Sequence, residues 1–267
     1  YRAVLDTYLR PQGIGISTVS WDQVQINDST ACILAQYPNF YGGIEAMGML
    51  SDSAHREGSL LVVSANPVAL GMFKAPGDYG ADIVTGETQP IGVPMSFGGP
   101  FVGYFTCKND YVRQMPGRIV GRTVDHDDRV GYVLTLQTRE QHIRRERATS
   151  NICTSEALIA TGTAVCMAAL GPTGLRQMAH LSYQKSHYAA EAINALDGYE
   201  VINHGTWFHE FVVACPQSAK ETTQKLLERG IIGGLDISDV EPNGMLFCVT
   251  EMNTKLEIDF LVETLKK

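Results

Sequence analysis

The sequence predicts an α/β protein, a large domain on a mainly parallel sheet followed by a small α+β domain. Three observations predict it. Two apolar runs, TACILA (residues 30–35) and LLVV (60–63), flank a stretch in which Ile44, Met47, Leu50 and Ala54 recur at helical spacing. Strand, helix and strand within about 35 residues make a βαβ unit. A long helical stretch, interrupted at Gly171-Pro172, then leads into a closing β-β-α-β-α pattern. The expected boundary lies near residue 170. Residues 1–170 form the large domain with a connecting helix, and residues 171–267 form the small one.

Taken in order, YRAVLDTYLR is helix-like and stops at Pro11 and Gly13, and IGISTV (14–19) alternates apolar and polar like a strand. TACILA is the next strand. The helix after it stops at Gly58, and LLVV is a continuous apolar run of the kind buried in a parallel sheet. ADIV (81–84) and FVGYFTC (101–107) read as further strands. Residues 118–136 read as a hairpin with an acidic turn. Thr154 can cap the following helix, with Glu156 in its first turn. A second long helix runs from about 172 to 196 and stops at Gly198. YEVIN, FHEFVVAC and MLFCVT supply the last strands, with helices at 218–229 and 254–266.

The 267 residues carry 21 Lys and Arg against 29 Asp and Glu, a net charge of −8. That balance argues against a general binder of nucleic acid or of acidic membranes, which needs a positive surface. No apolar stretch reaches the roughly 20 residues that span a bilayer. The six cysteines are scattered, with no CxxC-type pair, and read as free thiols of a cytoplasmic protein. The chain begins at Tyr1 inside a helix-like stretch, so a fragment of a longer protein is expected.

Four segments could carry chemistry. QYPNFYGG (36–43) lies at a strand end, where open α/β sheets bind ligands. Asn39 could donate to a ring oxygen there and Gly42-Gly43 could admit a close backbone, but a plain Pro-Asn turn is the preferred reading. SFGGP (96–100) could cradle a phosphate, though a tight turn is preferred. DHDDRVG (125–131) offers metal ligands, but neighbours in a turn diverge, and a solvated hairpin turn is preferred. QTREQHIRRERATSNICT (137–154) packs Arg139, His142, Arg144, Arg145 and Arg147 into nine residues of an acidic protein. It reads either as an anion site or interface or as a charged face with local pairs. Asn151 and Cys153 adjoin it, and a thiol near arginines and a helix start would have a lowered pKa.

QYPNFYGGIE, GDYGADIVTGETQPIGVPMSFGGPFVGYF, RQMPGRIVGRTVD and especially GYVLTLQTREQHIRRERATSNICTSEAL resemble the glycine-cleavage P-protein family. The resemblance covers essentially the whole chain and is closest to the family's α subunit, which is longer at its amino end. It implies a fold-type-I architecture of pyridoxal-phosphate enzymes. It implies glycine decarboxylation, with the aminomethyl group passed to the lipoyl arm of H-protein. The cofactor supplies an electron sink when bound. It is held by a lysine and an aspartate that the family places in the β subunit. Matched by resemblance, the aspartate position here is Val63 and the lysine position is Gln89 or Pro90. Neither side chain can do the work, so the resemblance implies a non-catalytic α subunit whose β partner binds the cofactor. It also assigns Arg139, His142, Arg144, Arg145, Asn151 and Cys153 to the α–β interface or the rim of the β active site. Two rival expectations are a self-sufficient pyridoxal-phosphate enzyme using Lys74 or Lys108, and a non-enzymatic binding module.

Overall fold

The computed structural model describes residues 1–96, 98–136, 140–148, 150 and 155–267. After a short amino-terminal helix, α1 (Arg2–Leu9), the chain builds a four-stranded sheet. Its strands are β1 (Cys32–Tyr37), β2 (Leu60–Ala65), β3 (Ile83–Glu87) and β4 (Gly103–Cys107), in that order. The first two pairings are parallel and the last is antiparallel. The expected strand at 14–19 does not form. Its alternation suits a strand, but no neighbour supplies a ladder, and residues 11–20 stay exposed.

Helix α2 (Met47–Arg56) crosses from β1 to β2. Its buried Met47, Leu50 and Ala54 fall at spacings of three and four, so they share one face. That face packs on Leu61, Val63, Ala65 and Val84, and a buried Leu there contributes about 2 kcal/mol. The opposite sheet face is far more open: Leu34 is 47% and Phe105 42% exposed. A hairpin follows, β5 (Ile119–Val124) and β6 (Val130–Thr135), and then one turn of helix, α3 (Gln141–Arg144).

Helix α4 (Ala157–Asn194) breaks at Gly171, whose φ of 60° and ψ of −177° are not helical, next to Pro172. By length and composition α4 could cross a membrane, with a mean hydropathy of 1.5 over a window only 6% buried. The sequence reading of no such stretch is corrected on that point. Its apolar character is spread over many small residues, Ala, Gly and Thr, rather than a run of large ones. The carboxyl half nonetheless belongs to a globular core, through Ala179, Ser182, Ser186, Ala189, Ala190 and Ile193.

A second, antiparallel sheet has the order β7-β8-β10-β9: β7 (Glu200–Val201), β8 (Glu210–Ala214), β9 (Leu235–Asp236) and β10 (Gly244–Cys248). Helices α5 (Ala219–Leu227) and α6 (Lys255–Lys266) both start with capping boxes, on Ser218 with Glu221 and on Thr254 with Glu257. They pack with α4 around Phe211, Val213, Met245 and Phe247. A smaller cluster of Val68, Ala69, Ile91, Ala179 and Phe208 joins the loops beyond β2 and β3 to α4 and the approach to β8.

Candidate site at the carboxyl ends of the first sheet

Parallel strands β1, β2 and β3 bring their carboxyl ends to one edge of the sheet, the place where open α/β sheets bind ligands. Each end is tied into the chain itself. After β1, the Asn39 Oδ1 accepts the N–H groups of Tyr41 and Gly43, both at 2.9 Å, and its Nδ2 donates to Glu45 Oε1 at 2.6 Å. Asn39 is therefore the centre of an Asx-type turn. Gly42 and Gly43 admit a backbone, as expected, but it is protein backbone. Phe208 N–H donates to Gly42 O, and Ile44 N–H to Thr206 O, both at 2.9 Å. A Cβ on Gly42 would lie 2.0 Å from Glu210 O, and its φ of +86° disfavours any side chain.

Val63 sits within β2, between Ala35 and Val84 on its neighbours, fully buried on the α2 face. At the end of β3, Glu87 Oε1 accepts the N–H groups of Gln89 at 3.0 Å and Val102 at 3.1 Å. Gln89 Nε2 turns to Pro94 O at 3.4 Å. Pro90 precedes the buried Ile91. The described residues at these three strand ends include no lysine. As they stand, Val63, Gln89 and Pro90 do not fit a lysine-held pyridoxal phosphate: they offer it neither an amine nor a charge.

Lys108 lies at the other end of the sheet. Its Nζ is 2.7 Å from Asp82 Oδ1, just ahead of β3. Asp82 also accepts from Leu61 N–H at 2.8 Å and meets His55 Nε2 at 2.8 Å. Burial alone would push its carboxyl up; the hydrogen bonds from Lys108, His55 and Leu61 outweigh that and hold it below the usual range. Lys74 is exposed, on the connection between β2 and β3.

In the Arg-rich segment, buried Glu140 is gripped by Arg118 Nε at 3.1 Å and His142 Nδ1 at 3.2 Å. His142, Arg144 and Arg145 are exposed, and residues 143–147 border an open recess of about 420 Å³. Arg139, Asn151 and Cys153 lie outside the described residues, as does the Thr154 cap. In the acidic turn, Asp125 Oδ1 accepts the N–H groups of Asp127 and Arg129, at 2.8 and 3.0 Å. The ligand atoms of Asp125, His126 and Asp127 do converge within 4.8 Å, against the expectation that they diverge, but all three are exposed.

Sequence reasoning missed a second convergence. His209, Glu210 and Cys248 bring one ligand atom each within 4.8 Å of the others, beside Asn66 at the end of β2. The residues were visible in FHEFVVAC and MLFCVT, but the strand register that opposes Cys248 to Glu210 was not.

Two solved structures fix the class of architecture. A NifS-like protein aligns with a TM-score of 0.69 at 15% identity, over all of this chain and 72% of its own. A C-DES mutant with glycine covalently linked to its PLP cofactor aligns at 0.63 and 14%, over 91% and 62%. At these identities the likeness is of fold, and the fold is that of the fold-type-I pyridoxal-phosphate enzymes. A crystal structure of glycine decarboxylase (P-protein) of the glycine cleavage system, in inhibitor-bound form, aligns far more closely. Its TM-score is 0.93 at 39% identity, over 99% of this chain and 62% of its own. The model of the glycine cleavage system P-protein family matches residues 1–265, and the chain belongs to that family. Among its relatives are probable glycine dehydrogenase (decarboxylating) subunit 1 of Thermomicrobium roseum, 47% identical over 100% of this chain, and that of Desulfitobacterium hafniense, 48% identical over 98%. The chain spans 62% and 61% of their lengths.

Proposed function

We propose that this chain is part of the non-catalytic α subunit of a two-part glycine decarboxylase. The β subunit binds pyridoxal phosphate, and lipoylated H-protein accepts the aminomethyl group. One observation carries the reading: at the positions that the resemblance matches to the cofactor's aspartate and lysine, Val63 is core within β2 and Gln89 and Pro90 belong to a turn, while Asn39 holds its own loop. The subunit 1 relatives supply the family context. Lys108 does not favour a self-sufficient enzyme, because it is bound to Asp82 at the far end of the sheet.

In this reading the chain's residues shape and support a site whose chemistry lies in the partner. His142, Arg144 and Arg145 form the exposed part of the docking segment, where Arg is enriched in interfaces. Arg139, Asn151 and Cys153 extend it in sequence. The division near residue 170 and a cytoplasmic location belong to the same proposal.

Reconstitution tests it. The complete α subunit, the β subunit and both together are assayed for release of carbon dioxide from glycine with lipoylated H-protein. The mixture should be active and the α subunit alone inactive, and Arg144→Ala with Arg145→Ala should lower assembly. Turnover by the α subunit alone, or full assembly of the double variant, would overturn the respective claims.

A further inference from the structure

His209, Glu210 and Cys248 stand apart from the proposed docking segment, and nothing in the proposed chemistry uses them. Their placement is built by the second sheet. Cys248 on β10 lies directly opposite Glu210 on β8, so both side chains leave the same face. His209, only 6% exposed, adds its ring from just ahead of β8. His209 Nδ1 lies 2.5 Å from Glu210 Oε2, and Cys248 Sγ lies 3.9 Å from Glu210 Oε1. An imidazole nitrogen, a carboxylate oxygen and a sulfur within 4.8 Å of one another are the donor set of a borderline-soft divalent cation.

We propose that His209, Glu210 and Cys248 form a three-ligand zinc site at the junction of the two sheets. A carboxylate and a thiolate balance the two charges of the ion, and water takes the fourth position of a tetrahedron. The thiol proton passes to solvent as the sulfur–zinc bond forms. The neighbouring Asn66 gives the site a distinctive signature. Its Oδ1 accepts Val68 N–H at 2.9 Å, so its Nδ2 faces His209 Nε2 at 3.4 Å. That arrangement keeps the imidazole proton on Nδ1, directed at Glu210. Zinc at Nδ1 moves that proton to Nε2, which then wants an acceptor in place of the Asn66 amide N–H. Asn66 therefore weakens the site, and an aspartate there would strengthen it, since one oxygen could hold Val68 N–H while the other accepts from Nε2.

The test is zinc binding to the purified complete α subunit by equilibrium dialysis, with cobalt as a spectroscopic probe. One equivalent should bind, with a thiolate-to-cobalt charge-transfer band. Cys248→Ser should remove the band and weaken zinc by at least about tenfold. Cys32→Ser, on β1, should change neither. Asn66→Asp should tighten zinc severalfold. In the unmutated chain, zinc should also protect Cys248 from alkylation, a readout that needs no variant to fold. Absence of stoichiometric binding, a band retained in Cys248→Ser, or alkylation of Cys248 unaffected by zinc would each overturn the site. Asn66→Asp binding no tighter than the unmutated chain would overturn the proton arrangement.

Discussion

The two ends of β3 carry the same device in different surroundings. Ahead of the strand, buried Asp82 holds a neighbouring strand through Leu61 N–H and pairs with His55 and Lys108. At its last residue, half-buried Glu87 holds two backbone N–H groups of the turn that returns to β4. Among the described residues, Lys108 and His55 meet Asp82 at the amino end of β3, while the turns after β1 and β3 are held by hydrogen bonds within the chain. A lysine or histidine in this sequence thus acquires meaning from its end of the sheet. Lys108 is a clasp, and Asn39 and Glu87 hold the turns after β1 and β3.

This contrast can be broken at either end. Asp82→Ala should cost the most, about 3 kcal/mol, because it strands Leu61 N–H and removes the partner of Lys108 and His55. Urea unfolding measures it. The same carboxyl gives a pH signature: its pKa is lowered in the fold, so its stabilisation is present above the unfolded value of about 3.9 and is lost as pH falls through the folded one. Asp82→Ala should flatten that acid limb, and an unchanged limb would show that Asp82 is not its source.

Gly42→Ala should follow, at about 2–3 kcal/mol, since the new methyl meets Glu210 O and the backbone is left-handed. Thermal melting measures it, and an unshifted midpoint would mean that the Asn39 loop is not locked to the second sheet. Asn39→Ala should cost about 1–2 kcal/mol by releasing two N–H groups, again by urea unfolding. Glu87→Ala should be the smallest, about 1 kcal/mol, because water can reach its turn. If Glu87→Ala exceeded Asp82→Ala, the ranking of the two ends would be reversed.

Much of this fold was legible as pattern. Continuous apolar runs announced β1 and β2, the Met47, Leu50 and Ala54 spacing announced α2, and Gly171-Pro172 marked the break in α4. Pattern failed where pairing decided the outcome. Residues 14–19 have a strand's alternation without a partner, and Leu235–Asp236 has a partner without a strand's length. Val63, Gln89 and Pro90 were named through the family resemblance, and the structure places them in the core of β2 and in the turn after β3. The site was not legible as geometry, because neither the register of β8 on β10 nor the seat of Phe208 N–H on Gly42 follows from local sequence.

In the proposed function this chain supports a site and does not itself hold pyridoxal phosphate through a lysine. The visible spectrum of the complete α subunit incubated with pyridoxal phosphate, followed by borohydride reduction and peptide mapping, tests this. No lysine-bound absorbance band and no reduced adduct at any single lysine are expected. A stoichiometric adduct on Lys74, Lys108 or another one lysine would contradict the proposal.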